Sequence, residues 1–536
     1  MFDLDIVEPD QQLAHRYRRK GWWTDTSLAD LLATSMGGAG NRTMWLHSRA
    51  ASQQVSMSDV RDLGHRLGAG LAARGLRPGE VVAFQLPNSI EAAAVFYGLA
   101  HSGVVLVPLS HAMAPREVLT AVQHCGARAV ILDAHGPEAA DLAALVGQCT
   151  EYVVLVGAPS RSTRVLGFNA LVDSAIDRSA VRIDPAAPAV IGWTSGSTAE
   201  PKGVILTHRA LVAEARLHMA PMLAGSPRPM LSTSPVSHVT GMLISLLVPP
   251  LIGRDIHLMD YWDATAALAL ITRHNLTAGS GAPIFLQTLL DDPSCTPKHH
   301  ELIGQAFLGG ATVSAALVQR AQSCGIVATR SYGCTEHPSI SLGRVEDELS
   351  VRAGTDGHVN TGVDVRIVDD SGRVCSSGQP GELQTRGPDL FSGYLNPAMN
   401  EEAFDRGWFR TGDIGTRDDR GHVVVMDRKK DIIIRAGMNV SAAEVEAILN
   451  AMPEVREAAV VAAPDPRTGE HGCAFIRPNS GHAPPGIDAV QRALTAAGLA
   501  KYKWPEEIRH QVADFPRTAA GKVRKADLRR MVRGQG

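Results

Sequence analysis

The sequence predicts an α/β protein: a large N-terminal domain of βαβ-type sheets packed with helices, a small β-rich subdomain and a small C-terminal α+β domain. In the N-terminal part, short apolar runs alternate with amphipathic stretches, a rhythm typical of a parallel sheet covered by helices on both faces. After about residue 350, short strands are joined by Gly, Asp and Pro turns. A further unit begins near Asp431. Because 536 residues exceed what one hydrophobic core usually supports, several subdomains are expected.

Hydrophobic periodicity predicts the individual elements. In the N-terminal part the predicted strands cover residues 80–86, 103–109, 127–132 and 152–156. The predicted helices between them cover residues 89–102 and 115–125. The strands of the β-rich part are predicted at residues 363–369, 381–385 and 422–426. The C-terminal unit is predicted to hold a helix, a strand and a second helix at residues 442–450, 458–462 and 486–497.

Composition excludes several classes of protein. A formal net charge of −3 provides no electrostatic surface for nucleic acid. The seven cysteines are scattered without a CxxC pair, which favours a reduced intracellular protein over a disulfide framework or a zinc site. The N-terminus is too polar for a secretory signal, and the longest apolar stretch, residues 242–252, is too short to span a bilayer. We therefore expect a cytoplasmic protein, and the sequence does not distinguish a monomer from a homodimer.

One segment is rich in hydroxyls and glycines and directly follows an apolar run, residues 189–193. It reads Thr194-Ser195-Gly196-Ser197-Thr198-Ala199-Glu200-Pro201-Lys202-Gly203. Small residues let backbone N–H groups approach an anion, and the lysine adds a full charge, so the segment indicates phosphate binding. It is not the P-loop of GxxxxGK[ST] form, because proline precedes the lysine and glycine follows it. The alternative is a polar surface turn that happens to hold a lysine.

Further motifs follow in a fixed order. SHVTG places His238 between hydroxyls, where a lone histidine is either a satisfied core residue or a functional one. FLGGA, residues 307–311, ends a strand in two glycines, which lets a flat ring approach the backbone. SYGCTE supplies an aromatic ring, a hydroxyl and a carboxylate in Tyr332, Thr335 and Glu336. This combination suits adenine, a phosphate and Mg²⁺, although the hexapeptide alone could also be an exposed turn.

Three motifs lie nearer the C-terminus. GWFRTGDIG puts Asp413 in a glycine-bounded loop, where its carboxylate could bind two ribose hydroxyls. DRKKD, residues 427–431, is a charged stretch that as a bare pattern indicates a solvated linker. PRTAAGK ends on Lys522, in what would otherwise be a flexible tail. Each motif is weak alone, whereas their joint order is specific.

In these motifs the chain resembles the adenylate-forming superfamily of acyl- and aryl-CoA synthetases, peptide-synthetase adenylation domains and firefly luciferase. The resemblance covers about residues 28–528 and includes the phrases QLPNS, GELQTRGP, GYLNP and LAKYKWPEEI. The phrases RYRRKGWW and DRKKD are most similar to ligases of medium-chain, alicyclic and aryl acids. The resemblance implies two steps: a carboxylate attacks the α-phosphorus of Mg-ATP to give an acyl-adenylate and pyrophosphate, and a thiol then displaces AMP.

The resemblance also implies roles by position. The β- and γ-phosphates would be bound by Thr194, Ser195, Gly196, Ser197, Thr198 and Lys202. Adenine would be bound by Gly309, Gly310, Ala311, Tyr332 and Gly333. The ribose would be bound by Asp413 and Arg428. Thr335 would contact the α-phosphate, Glu336 the Mg²⁺, and Lys522 both the substrate carboxylate and the α-phosphate. His238 would lie between the nucleotide and an acyl pocket formed by Val239, Met242, Gly281, Ala282 and Cys334, together with the Gly309–Ala311 stretch.

The resemblance further implies that a mobile C-terminal domain rotates between the two steps. Lys430 falls on the hinge position, which gives domains at residues 1–429, with the β-rich part at 350–429, and at residues 430–536. The thiol tunnel of relatives usually reads GGEN at this point, where this chain has Ala436, Gly437 and Met438 before Asn439. The thiol is expected to be that of coenzyme A, with the phosphopantetheine arm of a carrier protein as the alternative.

The charged groups separate an enzyme from a degenerate nucleotide-binding member of the superfamily. A degenerate member should lose charged catalytic groups first, and Lys202, Glu336, Asp413, Arg428 and Lys522 are all present. An acid–thiol ligase is therefore expected. Relatives that activate amino acids carry an acidic residue after the position of His238, whereas this chain has Val239, which argues against an amino-acid substrate. The sequence does not distinguish aliphatic, alicyclic and aromatic acids.

Overall fold

The computed structural model describes residues 4, 6–37, 42–49, 52–111, 113–136, 138–173, 181–194, 202–517 and 523–534. The α-helices are α1 (Gln11–Arg19), α2 (Leu28–Gly37), α3 (Met57–Ala73), α4 (Ile90–His101), α5 (Pro115–His124), α6 (Ala139–Val146), α7 (Phe168–Asp173), α8 (His208–Glu214), α9 (Ala220–Ala224), α10 (Val239–Met242), α11 (Val248–Leu251), α12 (Ala264–His274), α13 (Pro283–Asp291), α14 (Pro297–Ile303), α15 (Ala315–Ser323), α16 (Leu349–Gly354), α17 (Ala398–Ala403), α18 (Ala442–Leu449), α19 (Ile487–Ala496) and α20 (Lys525–Val532). Two π-helical turns (Ala215–Met219 and Leu243–Leu247) and two 3₁₀ turns (Lys429–Asp431 and Lys501–Lys503) accompany them.

The strands form five sheets. They are β1 (Thr43–His47), β2 (Gln53–Ser56), β3 (Val81–Gln85), β4 (Val105–Pro108), β5 (Ala129–Asp133), β6 (Tyr152–Val156), β7 (Val165–Gly167), β8 (Pro188–Thr194), β9 (Lys202–Thr207), β10 (Leu231–Ser232), β11 (Ile256–Met259), β12 (Gln305–Leu308), β13 (Val327–Tyr332), β14 (Ser341–Leu342), β15 (His358–Val359), β16 (Asp364–Val368), β17 (Gly381–Arg386), β18 (Phe404–Asp405), β19 (Trp408–Arg417), β20 (Val423–Arg428), β21 (Ile433–Arg435), β22 (Met438–Val440), β23 (Val455–Asp465), β24 (Gly469–Pro478) and β25 (Glu507–His510).

The largest sheet has seven strands in the order β7-β6-β5-β3-β4-β8-β9. Its neighbours are parallel except β8 and β9, which form an antiparallel hairpin. Successive residues of β3 enter two different cores: Val82 and Phe84 join one apolar cluster, and Val81 and Ala83 join another. Because side chains alternate across a strand, this sheet is covered on both faces. The predicted α/β fold class is confirmed.

Two four-stranded sheets complete the N-terminal part, in the orders β10-β11-β1-β2 and β12-β13-β14-β15. A separate apolar cluster beside them includes Leu268, Leu286 and Leu308. The apolar stretch at residues 242–252 forms buried helical turns, as its composition predicts. Within the parts of the chain that the structure describes, no helix has both the length and the apolarity to cross a membrane.

The β-rich part forms a five-stranded sheet in the order β16-β17-β19-β18, with β20 paired to β19. Here one sequence prediction was wrong: Asp413 lies within β19 and not in a loop. The strand continues through the glycines because Asp413 pairs with Arg428 of β20. A register shift between Ile414 and Gly415 and a positive φ of 69° at Gly412 accommodate the irregularity.

The C-terminal sheet has the order β22-β21-β24-β23, with β25 parallel to β24. Strands β21 and β22 form a hairpin in which Arg435 pairs with Met438, leaving a two-residue turn. Both turn residues have positive φ, 49° at Ala436 and 80° at Gly437. A two-residue turn of this kind favours glycine at both positions, so Ala436 is strained.

We expect Ala436→Gly to stabilise this hairpin by roughly 1 kcal/mol, because glycine adopts positive φ without a Cβ penalty. Amide hydrogen exchange of the β21–β22 backbone should slow by about fivefold. Gly437→Ala is the matched control: a Cβ there meets no atom within 4 Å, so only backbone strain changes. It should accelerate exchange, and unchanged exchange in both variants would contradict the strain.

Candidate active site

The hairpin of β8 and β9 brings the two ends of the hydroxyl-rich segment together. Thr194 pairs directly with Lys202, and Trp193 pairs with Gly203. The intervening candidates Ser195, Gly196, Ser197 and Thr198 lie outside the described residues, as does Lys522.

Lys202, Tyr394 and Glu336 form a line of contacts beside this hairpin. The Lys202 Nζ atom lies 4.7 Å from the centroid of the Tyr394 ring. The Tyr394 hydroxyl donates a 2.7 Å hydrogen bond to Glu336 Oε1. Burial and the charge of Glu336 raise the pKa of Tyr394, so the phenol remains a donor. The cation is thereby placed close to the carboxylate through one aromatic side chain.

Tyr332, Asp413 and Arg428 form a second group. The Tyr332 hydroxyl donates to Asp413 Oδ2 at 2.6 Å, and Arg428 Nε lies 2.8 Å from Asp413 Oδ1. Burial, then the Asp413 charge, raises the pKa of Tyr332 well above its usual value. Burial opposes the charge on Arg428, but Asp413 outweighs it and the pKa of Arg428 is raised. The structure thus joins three residues that are far apart in the sequence.

The SYGCTE segment connects the two groups. Reciprocal backbone hydrogen bonds between Cys334 and His337, of 3.0 and 3.2 Å, close a turn that presents Thr335 and Glu336. Burial raises the pKa of Cys334 well above its usual value, so its thiol is protonated. Gly333 is required by packing, because a Cβ there would lie 1.9 Å from a backbone oxygen.

The predicted adenine segment contacts the predicted acyl pocket. The Gly309 amide donates to the Gly281 carbonyl at 2.9 Å, and Gly281 forms a bridge with Leu308. A Cβ on Gly309 would lie 2.2 Å from Ser331 Oγ. Gly310 has a positive φ of 75°, next to Ala311. Ala282, which follows Gly281, is the N-cap residue of α13, so these segments meet at one edge.

Val239, Thr335 and Gly192 meet at the other side of this region. A Cβ at Gly192 would lie 2.8 Å from a methyl group of Thr335 and 2.8 Å from one of Val239. Met242 lies fully buried at the end of the same short helix, α10. Strand β8, the Cys334–His337 turn and α10 therefore meet at Gly192, where a larger residue would collide with both neighbours.

His238 is the N-cap residue of α10. Its Nε2 atom is buried without a hydrogen-bond partner among the described residues, and burial lowers the pKa of the ring. Asn88 holds the loop before it, accepting from the Val236 amide at 2.9 Å and donating to the Ser234 carbonyl at 3.3 Å. A neutral imidazole is thus held at the start of α10.

A buried polar network supports the turn through His337. Nδ1 of His218 lies 2.9 Å from Glu214 Oε2 and 3.6 Å from Asp389 Oδ2. Nε2 of His337 lies 3.3 Å from the other Asp389 oxygen. Burial lowers the pKa of His218, but Asp389 and Glu214 outweigh it and raise the value to about 11. Glu214, His218 and Asp389 have the spacing of metal ligands. The protonated His218 ring, however, already compensates carboxylate charge within this network.

Comparison with known proteins agrees with this geometry. Residues 37–395 match the AMP-binding enzyme family, and residues 444–522 match the AMP-binding enzyme C-terminal domain. The chain belongs to the AMP-binding enzyme family. A medium-chain fatty-acid–CoA ligase of Escherichia coli K12 is 31% identical over 530 residues, covering 97% of this chain and 93% of the relative.

This AMP-binding enzyme is also similar to a second ligase and to a solved ATP-bound structure. A 3-[(3aS,4S,7aS)-7a-methyl-1,5-dioxo-octahydro-1H-inden-4-yl]propanoyl:CoA ligase of Mycobacterium tuberculosis H37Rv is 33% identical over 498 residues, covering 90% of this chain and 95% of the relative. The ATP-bound crystal structure of MatB from Rhodopseudomonas palustris superposes with a TM-score of 0.83 at 26% identity, covering 94% of this chain and 99% of that one. The chain is an AMP-forming acid–thiol ligase of the acyl-CoA synthetase type.

The remaining candidates of this AMP-binding enzyme lie in the C-terminal part. Lys430 belongs to a 3₁₀ turn, and its carbonyl accepts from Arg529 at 3.3 Å. Ala436, Gly437 and Met438 form the exposed hairpin described above, and no contact of theirs with the nucleotide turn is found among the described residues. Among the described residues, the structure therefore brings together the candidates before residue 429 but does not place the predicted thiol tunnel beside them.

Sequence reasoning missed three residues that shape the site. Tyr394 links Lys202 to Glu336, Gly192 permits three segments to touch, and Asn88 holds the loop before His238. Tyr394 and Asn88 lie in the phrases GYLNP and QLPNS, which carried the resemblance without a role. No local signal marks Gly192, because its requirement comes from segments distant in the sequence.

We expect Tyr394→Phe to lower the rate of acid-dependent pyrophosphate release by roughly tenfold, through loss of one hydrogen bond to a charged group. The substitution retains the aromatic ring over Lys202, so the Kd for ATP should change little. The Mg²⁺ concentration that gives the half-maximal rate should change more, because the lost hydroxyl contacts Glu336. The measurement is pyrophosphate release against Mg²⁺ concentration.

The matched control is Tyr152→Phe, which removes a hydroxyl bound to the Arg74 carbonyl. It should leave the Mg²⁺ dependence unchanged. An equal effect of both substitutions, or none at Tyr394, would show that the hydrogen bond does not position Glu336.

Proposed function

We propose that the protein converts a carboxylic acid to its acyl-adenylate with ATP, releases pyrophosphate and transfers the acyl group to the thiol of coenzyme A. The observation that carries the proposal is the turn holding Thr335 and Glu336. It joins the Tyr332–Asp413–Arg428 group to the Lys202–Tyr394 pair. One short loop therefore faces both nucleoside-binding side chains and a phosphate-binding cation.

The nucleotide roles follow from these contacts. Asp413, held from one side by Tyr332 and from the other by Arg428, offers acceptors to ribose hydroxyls. The Tyr332 ring and the flat Gly309–Ala311 backbone suit the two faces of adenine. Lys202, opposite Thr194 in the hairpin, supplies a charge for the β- and γ-phosphates.

Glu336 fits a magnesium ion. Mg²⁺ prefers carboxylate oxygens and keeps several waters. Glu336 uses one oxygen to accept from Tyr394, and no ion pair of Glu336 is found within the described ranges. The second oxygen is thus available to a cation that would neutralise phosphate charge. Thr335, beside it, would donate to the α-phosphate.

The acyl group would lie between α10 and the segment that contains Gly281 and bridges to Leu308. Val239 and Met242 give an apolar wall, and Cys334, with a protonated thiol, adds a neutral one. His238 is neutral because burial lowers its pKa, so it imposes no charge on the passing carboxylate. The two curated relatives act on a medium-chain fatty acid and on a bicyclic propanoate, so membership in the family leaves the acid open.

The second step requires the C-terminal domain to rotate relative to the N-terminal domain. We propose that this C-terminal domain comprises residues 430–536. Contacts across Lys430 are polar: Asp427 accepts from the Ser441 hydroxyl at 2.8 Å and from the Ala443 amide at 3.1 Å. Water can replace such contacts more readily than an apolar interface, which favours rotation about Lys430. The exposed hairpin of Ala436, Gly437 and Met438 would then approach the thiol. A carrier-protein phosphopantetheine is the alternative acceptor.

We also propose a cytoplasmic location and a role in fatty-acid or related acid metabolism. All seven cysteines are free, which fits a reducing compartment. This assignment rests on cysteine chemistry and not on the absence of a membrane helix.

Lys522→Ala should reduce acid-dependent pyrophosphate release by on the order of 100-fold or more, while ATP binding stays nearly intact. Its charge is needed chiefly where two anions meet. The measurement is pyrophosphate release over an acid panel, with hydroxylamine trapping of the adenylate. Lys501→Ala, at an exposed lysine of the same domain, is the control. Activity of Lys522→Ala within a few-fold of wild type would reject the assignment.

Lys430→Pro should separate the two steps, because proline fixes φ at the hinge and blocks rotation. Adenylate formation should survive while thioester formation with coenzyme A falls by at least an order of magnitude. Lys430→Ala removes the side chain but leaves φ free, so both steps should continue. Equal damage to both steps in Lys430→Pro would mean that the boundary lies elsewhere. Robust wild-type thioester formation with coenzyme A would exclude an obligatory carrier protein.

A further inference from the structure

A small cavity of about 30 Å³ lies behind the acyl side of the site. Ile244 and Ser245 line one wall, on the helical segment that continues directly from Met242. Ser280 and Phe307 line the opposite wall. The cavity is therefore bounded by continuations of the two segments that form the proposed acyl pocket.

Main-chain contacts connect these walls to the reacting end. Ser280 Oγ accepts from the Phe307 amide at 3.2 Å, and the Gly281 amide donates to the Phe307 carbonyl at 2.8 Å. The Gly309 amide in turn donates to the Gly281 carbonyl at 2.9 Å. An acyl group that passes between α10 and Gly281 would thus meet this cavity with its far end.

The cavity is lined by two guanidinium groups, those of Arg228 and Arg254. Within the described ranges, neither has a carboxylate within 4.0 Å. Arg228 Nε donates to the Asn275 side chain at 3.2 Å, and Arg254 Nη2 donates to the Ser226 carbonyl at 3.2 Å. Arg254 Nε is buried and has no hydrogen-bond partner among the residues described. A buried donor without a partner is costly, so its retention points to an acceptor from outside the chain.

The other charged and titratable groups of the lining do not balance these cations. Asp255 contributes one carboxylate, whose Oδ1 already accepts from the Thr43 amide at 2.9 Å. Burial, with nearby His47 and His274, lowers the pKa of His257 to about 3, so this ring is neutral. Two positive charges therefore face one negative charge around a small cavity.

We propose that this cavity binds the far end of the acyl group, and that this end carries an oxygen acceptor, either a ketone or a second carboxylate, recognised by Arg254 with Arg228 beside it. The inference rests on the proposed function, because it assigns the substrate class of the same acyl pocket. A water needs about 10–15 Å³ on this measure of volume, so about 30 Å³ accommodates a terminal group of two or three non-hydrogen atoms. A ring or alkyl body would occupy the apolar part between α10 and Gly281.

The test compares acids of equal length that end in a methyl group, a ketone or a carboxylate, over several chain lengths. Pyrophosphate release gives kcat/KM for each. In the wild type, kcat/KM for the best oxygenated acid should exceed that for its methyl-ended counterpart by roughly tenfold or more. The methyl-ended acid leaves the arginine donors of the cavity without an acceptor. The ketone and carboxylate series identify which acceptor is used.

Arg254→Met should lower kcat/KM for the oxygenated acid by roughly 10- to 100-fold and leave the methyl-ended acid unchanged or improved. Arg42→Met is the control, since Arg42 donates to the Pro250 carbonyl nearby without lining the cavity. It should not alter the ratio between the acids. Equal losses for both acids in Arg254→Met, or a wild-type preference for methyl-ended acids at every length, would overturn the proposal.

Binding of the free acids without ATP tests the cavity separately from turnover. The oxygenated acid should raise the Tm of the wild type more than its methyl-ended counterpart, and Arg254→Met should lose this difference. Such a difference without any pyrophosphate release would support the cavity while rejecting the ligase function. Release with the methyl-ended acids alone, and no difference in Tm, would retain the ligase and reject the cavity.

Discussion

The site depends on one buried carboxylate. Asp413 is 4% exposed, and its charge is compensated by the Tyr332 hydroxyl and the Arg428 guanidinium. Removing the Arg428 guanidinium would leave the buried carboxylate without its counter-charge, which typically costs about 3–5 kcal/mol. Because Tyr332 ends β13 and Arg428 ends β20, this contact also fixes the β-rich sheet against the sheet that carries the Gly309 segment.

Close backbone approach is the second constraint. At Gly192, Gly309 and Gly333 an added Cβ would lie 1.9 to 2.8 Å from another atom. At Gly333 the neighbour is a backbone oxygen, so no side-chain rotation would relieve the contact, whereas at Gly192 and Gly309 the nearest atoms belong to the side chains of Thr335, Val239 and Ser331. The compactness of the turn that presents Thr335 and Glu336 thus follows from three missing side chains.

The C-terminal part is attached by a different kind of contact. Ser441 caps α18 and donates to Asp427 across Lys430, whereas Lys525 pairs with Glu446 at 2.7 Å within the C-terminal part itself. Burial opposes the charge on Lys525, but Glu446 and Asp431 outweigh it and raise its pKa. These polar contacts around Lys430 contrast with the apolar cores of the large sheets. The difference in chemistry suits a unit that changes position and a unit that does not.

Much of the molecule was determined by the sequence alone. Alternation of apolar and amphipathic runs predicted the parallel sheet, because burial on both faces needs continuous apolar strands such as β3. The ordered motifs predicted the superfamily, which the family match confirms, whereas the nucleotide roles of the individual residues stay a prediction. Tyr332, Asp413 and Arg428 were named from three separate motifs, and the structure brings them together.

Tertiary structure alone decided the rest. It placed Asp413 in a strand, since pairing with Arg428 is invisible in the nine-residue motif GWFRTGDIG alone. It assigned Tyr394 to the line between Lys202 and Glu336, and made Gly192 the point where three segments touch. It also showed Arg254 at a cavity whose walls come from distant strands. Periodicity and motifs record what each segment needs locally, whereas these contacts arise only when segments distant in the chain become neighbours.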